Sequence, residues 1–586
     1  MRGGTLRRMK TALSLLALFA LATVSHAGGT VVVEPIPAKD LTVYTNDTGK
    51  KSLVDVAGEQ AVRVEVLQKG PDAWSVMALS PKNEKPIAKG AMLVASLRLR
   101  SVGGTGLVGV YAESAVKDKK GSRGSTFEPS TEVQTFRRTA IADHDYAPGE
   151  FQVSIHLAGK VQTVDLFDVT LEAYPPGTKF NELNLDPLTW KGREPDAPWR
   201  KPAAERIEKY RKADVRVTVT DADGQPVEGA EVRVEQVRHA FRFGTFVGQT
   251  LLADNADGEK YREIVRERYN FLTLPAYQAN WGWLNDERRT DYFEMADWAV
   301  ANDKPARGHL LVYPGWAASP SEWFDLPKDE LRGLLSRHIP RATRMMRERN
   351  VTEWDVTNEL RFNKEFMEEL GGLEVAADWF KAARKELPDG TLYLNETIIL
   401  PNGGLTDTEQ GIYEGHIQTL LDMGAPLGGI GLQGHFNDEF TPPARVIEIL
   451  DRFAKFDRPI CITEFDMAND DKQSQAAFIR DFYTALFSHP SVVGAIQWGF
   501  WEDDMWQPQG HHFTKDWQET PVSRAFNDLV FRQFWTDERT KTAGDGTASA
   551  RAFKGVQKVT VSHDGYTWSR DVTVGDDGAE VTISVP

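Results

Sequence analysis

A single cysteine, Cys461, stands in 586 residues, so no disulfide can form within the chain and each domain must hold together through its own apolar core. Positive charge is also in short supply. Lys and Arg number 69 against 85 Asp and Glu, which leaves a net charge of −16. That balance argues against a nucleic-acid partner, because neutralising a phosphate backbone takes clustered basic side chains. Beyond Ala12–Val24 no long apolar run occurs, so nothing reads as a stop-transfer segment or membrane anchor. No Gly-rich phosphate loop follows an early strand-like run, which argues against a doubly wound open sheet. No acidic cluster has the spacing of a calcium loop, and His511-His512 is not by itself a metal signature. The sequence therefore predicts neither a metal nor another cofactor.

Aromatic surface, by contrast, is plentiful: 10% of residues are aromatic and 16 are Trp. Flat indole faces suit the apolar faces of sugars, and they suit a large core equally well. Arg7, Arg8 and Lys10, then the apolar Ala12–Val24, then Ser25-His26-Ala27 follow the order of a signal peptide. The expectation is a leader over residues 1–27, cleaved after Ala27, and a secreted or periplasmic protein acting as a monomer.

Residues 28–175 read as a β-sandwich. Ala61–Leu67, Ala91–Arg100, Gly106–Tyr111, Glu150–Leu157 and Val161–Leu171 alternate apolar and polar between turn clusters. Residues 176–212 are rich in Pro, Asn and Asp and read as a linker, ending in a short helix over Ala203–Lys212. VRVTVTD and AEVRVEQ, either side of Asp223-Gly224, predict a hairpin within 213–238. Over 239–535, strand-like runs alternate with amphipathic helices. The runs are Phe241–Val247, Phe271–Leu274, Ala306–Tyr313, Glu353–Glu359, Leu392–Glu396, Gly429–His435, Ile460–Asp466 and Ala495–Trp501. That alternation predicts an α/β fold, a (β/α)8 TIM barrel. Residues 536–586 are again β. They are expected to pair with the 213–238 segment, so that the barrel interrupts a small β domain.

Catalytic side chains of such barrels sit at the C-terminal ends of the strands. The fourth run closes on Asn358-Glu359, and the seventh carries Glu464 and Asp466. A lone Glu at a strand end is commonly an ion-pair partner. Two, on strands four and seven, can face each other as glycosidic cleavage requires: one attacks the anomeric carbon, the other protonates the leaving oxygen and then activates water. Strand alternation places Asp466 on the face of Glu464, where it tunes the nucleophile or only anchors the loop, the second being favoured. The same alternation turns Cys461 outward, against the helices.

Glu353–Glu359 (EWDVTNE) and Pro459–Asp466 (PICITEFD) resemble the signatures of glycoside hydrolase family 10, the retaining endo-β-1,4-xylanases. Arg307-Gly308-His309, Leu392–Asn395, Gly429–His435 (GIGLQGH), and Trp498-Gly499 with Trp506 match further family segments in the same order. The resemblance implies Glu359 as acid/base and Glu464 as nucleophile. It implies Asn358 at the sugar 2-hydroxyl, His435 on the nucleophile, His309 and Gln433 lining the same pocket, and Trp498 and Trp506 as platform and roof. The implied partner is a polysaccharide, xylan or a related β-glycan. The 28–175 region resembles the jelly-roll carbohydrate-binding modules often joined to such barrels, with Trp74 and Tyr111 as either sugar platforms or core.

Three departures stand out. Tyr313-Pro314 replace the family's Trp-His close of strand three, Glu396-Thr397 replace an Asp-Tyr pair, and Thr273–Trp281 lacks the family's Glu and Lys. The catalytic core is kept while the wall around the glycone sugars is rebuilt, which leaves the substrate's decoration open. Two other readings share these residues: a barrel that binds carbohydrate without cleaving it, and a transglycosylase using the same covalent intermediate.

Overall fold

The computed structural model describes residues 29–37, 40–70, 72–116, 122–183, 185, 187–277, 286–316, 319 and 323–586. The leader expected over 1–27 lies outside these residues, as does the stretch 278–281 of the second barrel segment.

Eight parallel strands close into a barrel: β1 (Arg242–Phe246), β2 (Phe271–Leu274), β3 (Ala306–Val312), β4 (Val351–Asn358), β5 (Thr391–Glu396), β6 (Gly429–Phe436), β7 (Ile460–Met467) and β8 (Val492–Gln497). The expected TIM barrel is thus present. Each strand meets helices on one side and the barrel interior on the other, which is why β3 and β7 are buried at every position. The last strand lies earlier than the run Ala495–Trp501 suggests. It ends at Gln497, and Gly499, at φ 98°, takes the backbone out of the extended conformation just beyond it.

A bulge in β7 decides which residues face inward. Leu432 of β6 pairs with Ile462, but Gln433 pairs with Glu464, so Thr463 is an extra residue on β7. This resets the alternation. Cys461, expected to face the helices, instead packs inside the barrel with Phe271, Tyr393 and Ile496. Burial pushes its thiol up to about 11, so it is an inert packing residue. Around it the barrel floor is charged and paired: Arg242 binds Glu353 and donates to the Tyr393 hydroxyl at 3.1 Å, and Arg307 binds Asp355.

The N-terminal region is a two-sheet sandwich. Gly49–Val56, Glu59–Val66, Gln162–Pro176, Ala91–Ser101 and Gln134–Ile141 form one sheet, with Thr30–Pro37 also pairing with Gln162–Pro176. Thr42–Tyr44, Met77–Leu79, Phe151–His156, Val108–Ser114 and Ser122–Phe127 form the other. Inward-facing Val, Leu and Ile from both sheets make its core.

Two further expectations are corrected. The 176–212 stretch is no free linker. Trp190 and Trp199 are buried in the barrel's own core, and Trp190 Nε1 donates to Asp481 Oδ2 at 3.0 Å. Arg200 pairs with the same carboxylate at 2.7 Å, so the segment is a strap clamped to the helix Lys472–Ser488. Nor do the two strands of 213–238 form a hairpin. Lys212–Thr220 lies between Thr547–Phe553 and Ala579–Ser584, whereas Glu231–His239 lies between Asp537–Lys541 and Gly555–His563. The connection crosses from one small sheet to the other, and valines from both sheets share one core.

Candidate active site

β4 ends at Asn358, and Glu359 follows at φ 55°, a left-handed conformation unusual for a side-chain-bearing residue. Its amide donates to the Asn395 carbonyl of β5 at 2.9 Å, and its own carbonyl accepts the amide of Asn363 at 2.9 Å. The backbone therefore leaves the barrel at this residue. Its carboxylate is held over the mouth by Gln433 Nε2 on Oε1 at 3.0 Å, by Asn358 Nδ2 on Oε1 at 3.2 Å and by Asn363 Nδ2 on Oε2 at 3.2 Å.

Glu464 projects from β7 and is 4% exposed. Oε1 accepts from Asn395 Nδ2 at 2.7 Å and from Gln433 Nε2 at 3.1 Å. Oε2 lies 3.0 Å from His435 Nε2. Since one amide nitrogen of Gln433 reaches both carboxylates, their nearest oxygens lie within about 6 Å of each other. Both carboxylates therefore face one amide nitrogen at the mouth of the barrel.

Electrostatics favours ionisation of Glu464. Burial alone would raise the Glu464 carboxyl, yet His309, His435 and Asn395 together hold it below the usual carboxylate range. His435 also stands 3.0 Å, through Nδ1, from Asp466 Oδ1. Burial works against its charge, but Asp466 and Glu464 prevail and push the imidazole up to about 10. A cation thus sits between two carboxylates. Asp466 Oδ2 in turn accepts from Trp506 Nε1 at 2.8 Å. The favoured expectation for Asp466, a loop anchor only, is corrected: it binds the Trp506 loop and also supports the imidazole that faces Glu464.

The other expected residues gather here too. His309 is buried, with Nδ1 at 2.8 Å from Asp355 Oδ2 and 3.8 Å from Glu464 Oε1. Trp498 stands edge-on to His309 at 5.0 Å between ring centres, and Trp506, 62% exposed, edge-on to His435 at 5.1 Å. Asn358, Gln433 and both carboxylates share one hydrogen-bonded cluster.

Several contributors carry no assigned role in the sequence. Asn395 reads there only as part of a strand motif, yet it bonds Glu464 directly. Asn363 lies in a loop with no motif, and the turn after Glu359 is what brings it back. It also hydrogen-bonds Tyr313, the residue in place of the family Trp. Glu396 is a buried carboxyl that accepts the amides of Thr397 at 3.0 Å and Arg361 at 3.3 Å, and burial pushes it up to about 7. Among the described residues, no group of His, Cys, Asp and Glu is placed to hold a metal ion.

A protein-family model described as glycosyl hydrolase family 10 matches residues 234–528, half of the chain. Endo-1,4-beta-xylanase B of Thermotoga neapolitana is 30% identical over 275 residues, which cover 43% of this chain and 76% of that protein. An anti-sigma-I factor of Acetivibrio thermocellus is 26% identical over 396 residues, 66% of this chain and 50% of that protein. The chain spans about half or less of the length of the first curated relatives it matches. The solved CBM22-1–GH10 modules of Clostridium thermocellum endo-1,4-beta-D-xylanase 10B are similar with a TM-score of 0.43 at 14% identity, over 88% of this chain and 99% of that one.

Proposed function

Because the chain belongs to glycosyl hydrolase family 10, we propose that it cleaves internal β-1,4 linkages of xylan or a related β-glycan by double displacement. Glu464 attacks the anomeric carbon while the protonated Glu359 gives its proton to the leaving glycosidic oxygen. A glycosyl ester on Glu464 results. Glu359, now a carboxylate, takes a proton from water, and that water attacks the same carbon and frees Glu464. The observation that carries this reading is the Gln433 amide, which holds oxygens of both carboxylates within about 6 Å of each other. Such a pair can act on one glycosidic bond together, and the retaining course is the one implied by the family resemblance.

The environment suits the division of labour. The nucleophile must stay ionised, and His435 keeps its positive charge throughout neutral pH, 3.0 Å from Glu464. The acid/base sits among the amide donors of Gln433, Asn358 and Asn363. Asn358 and His309 are assigned to the sugar hydroxyls, and Trp498 and Trp506 to its faces. Each charged glycone-binding side chain that the family carries and this chain replaces shifts selectivity by about 1–3 kcal/mol, so plain xylan, a decorated xylan and another β-glycan are all substrates to test. Action outside the cytoplasm belongs to the same proposal and rests on the leader-like order of residues 1–27.

The test is a panel of plain xylan, arabinoxylan, glucuronoxylan, mixed-linkage glucan and cellulose, scored for new reducing ends, with Glu464→Ala as control. Release that vanishes in the variant, with the β-anomer formed first by NMR, is the expected result. Binding without release on every substrate would overturn it in favour of a carbohydrate-binding barrel. Products dominated by transfer to an added acceptor sugar would replace hydrolysis by transglycosylation.

A further inference from the structure

The sandwich is docked on the barrel rather than hung from it. Arg138 lies 3.5 Å from Glu439, in the segment just past β6, and Lys69 Nζ donates to Thr408 Oγ1 at 2.9 Å. Glu439 is only 8% exposed, so this ion pair is shielded from solvent. With the buried strap behind it, the docking holds the sandwich against the C-terminal face of the barrel, where the carboxylates stand.

Docking leaves a cleft of about 380 Å³ between the two units. Tyr111, Arg138 and Thr139 line it from the sandwich, and Asn437, Asn469 and Trp506 from the barrel. Trp506 is the wall common to this cleft and the catalytic centre, because its Nε1 is bonded to Asp466 there. Tyr111 lines the cleft from the sandwich. It also lines a second depression, of about 420 Å³, with Trp74, Glu113 and His156. The Tyr111 ring stacks on His156 at 4.4 Å, and Trp74 is 55% exposed beside them.

Flat aromatic faces alternating with amide, hydroxyl and carboxylate groups match a neutral polyhydroxylated chain, whose sugar rings have apolar faces and polar rims. The cleft adjoins the site where such a chain is cut. Building on the reading of the barrel as a β-glycanase, we propose that the interdomain cleft is a distal subsite. A β-glycan bound across the carboxylates continues past Trp506 into the cleft and onto Tyr111, so that the sandwich forms part of the active-site groove. Long chains are then preferred over short ones by interactions that neither domain supplies alone.

The experiment compares kcat/KM on soluble polymeric xylan with kcat/KM on an aryl β-xylobioside too short to reach Tyr111. Full-length wild type, Tyr111→Ala, Tyr111→Phe and Asn437→Trp are measured. Asn437 is an exposed barrel-loop residue, so its indole fills the cleft without disturbing a core. The ratio of polymer to short-substrate efficiency should fall on the order of three- to tenfold in Tyr111→Ala, the range of one aromatic stacking interaction. It should fall similarly in Asn437→Trp and be kept in Tyr111→Phe, which retains the ring. Should Tyr111→Ala melt the sandwich, seen by circular dichroism, Asn437→Trp carries the test. An unchanged ratio in Asn437→Trp, with an active wild type, overturns the subsite and leaves the glycanase reading standing. A wild type that cleaves neither substrate overturns both.

Discussion

His435→Asn removes the imidazole that contacts the proposed nucleophile at 3.0 Å while keeping a side chain able to hydrogen-bond. In the wild type an imidazolium stands 3.0 Å from Glu464 on one side and 3.0 Å from Asp466 on the other. The variant leaves two carboxylates in one pocket, with Glu464 4% exposed. A hydrogen bond to a charged group contributes about 1.5–3 kcal/mol, and one pH unit corresponds to about 1.36 kcal/mol, so the Glu464 carboxyl should rise by roughly one to two units. The direction follows from its native state. Its pKa is depressed, so it is ionised and competent above that value and is lost as pH falls through it. The acid limb of the kcat/KM profile should therefore move up by about one to two units, with activity falling on the order of 10- to 100-fold on that limb and much less at alkaline pH. Stability gives an independent reading. His435 is raised from an unfolded value near 6.5 to about 10, so its contribution is complete below pH ~6.5 and is lost as pH rises toward 10. The gap in urea midpoint between wild type and variant should close over that window. A uniform drop in activity with an unmoved acid limb would refute the electrostatic account and reduce His435 to a spacer.

Glu359→Ala should keep rapid ester formation on dinitrophenyl β-glycosides, whose leaving group needs no proton, and slow its hydrolysis. Added azide should restore turnover, and a first step abolished on these substrates as well would remove Glu359 from the acid/base role. Glu396, pushed up to about 7 by burial, is ionised against a cost at neutral pH. Its folded value lies above its unfolded one, so wild-type stability should fall by up to about 3 kcal/mol between pH ~4.5 and 7 from this group, and Glu396→Gln should abolish that slope. Parallel urea-stability curves for the two proteins would contradict it. Trp190→Ala should cost about 3–5 kcal/mol in denaturant unfolding, since a buried indole and its bond to Asp481 disappear. A loss below about 1 kcal/mol would mean that the 176–212 strap contributes little to the barrel.

Much of the barrel and its carboxylates is legible in the chain for a local reason. A strand buried on both sides must be an apolar run, and polar groups at its end interrupt that run where they stand, as Asn358-Glu359 and Glu464 do. The alternating patterns of Lys212–Thr220 and Glu231–His239 likewise mark two strands, but period two says only that a strand has an apolar face and does not name its neighbour. Tertiary contacts put these strands in different sheets. The orientation of Cys461 escapes the sequence for a related reason. Counting residues assumes an unbroken pleat, and the extra Thr463 exists only relative to the register of β6. Composition makes 176–212 look like a linker because Pro, Asn and Asp avoid regular structure. Avoiding regular structure does not prevent burial, and Trp190 is fixed by an Asp nearly three hundred positions away.

Sequence by itself determined the strand runs, the two opposed carboxylates and the polar residues beside them, because each is a local pattern with a local physical cause. Only the tertiary structure decided that Gln433 spans both carboxylates, that Asp466 stands against His435, that Asn363 returns to Glu359, and that the sandwich and the barrel share a cleft lined by Trp506. Each of these depends on distances between residues far apart in the chain, which are set by how the strands close and the domains pack.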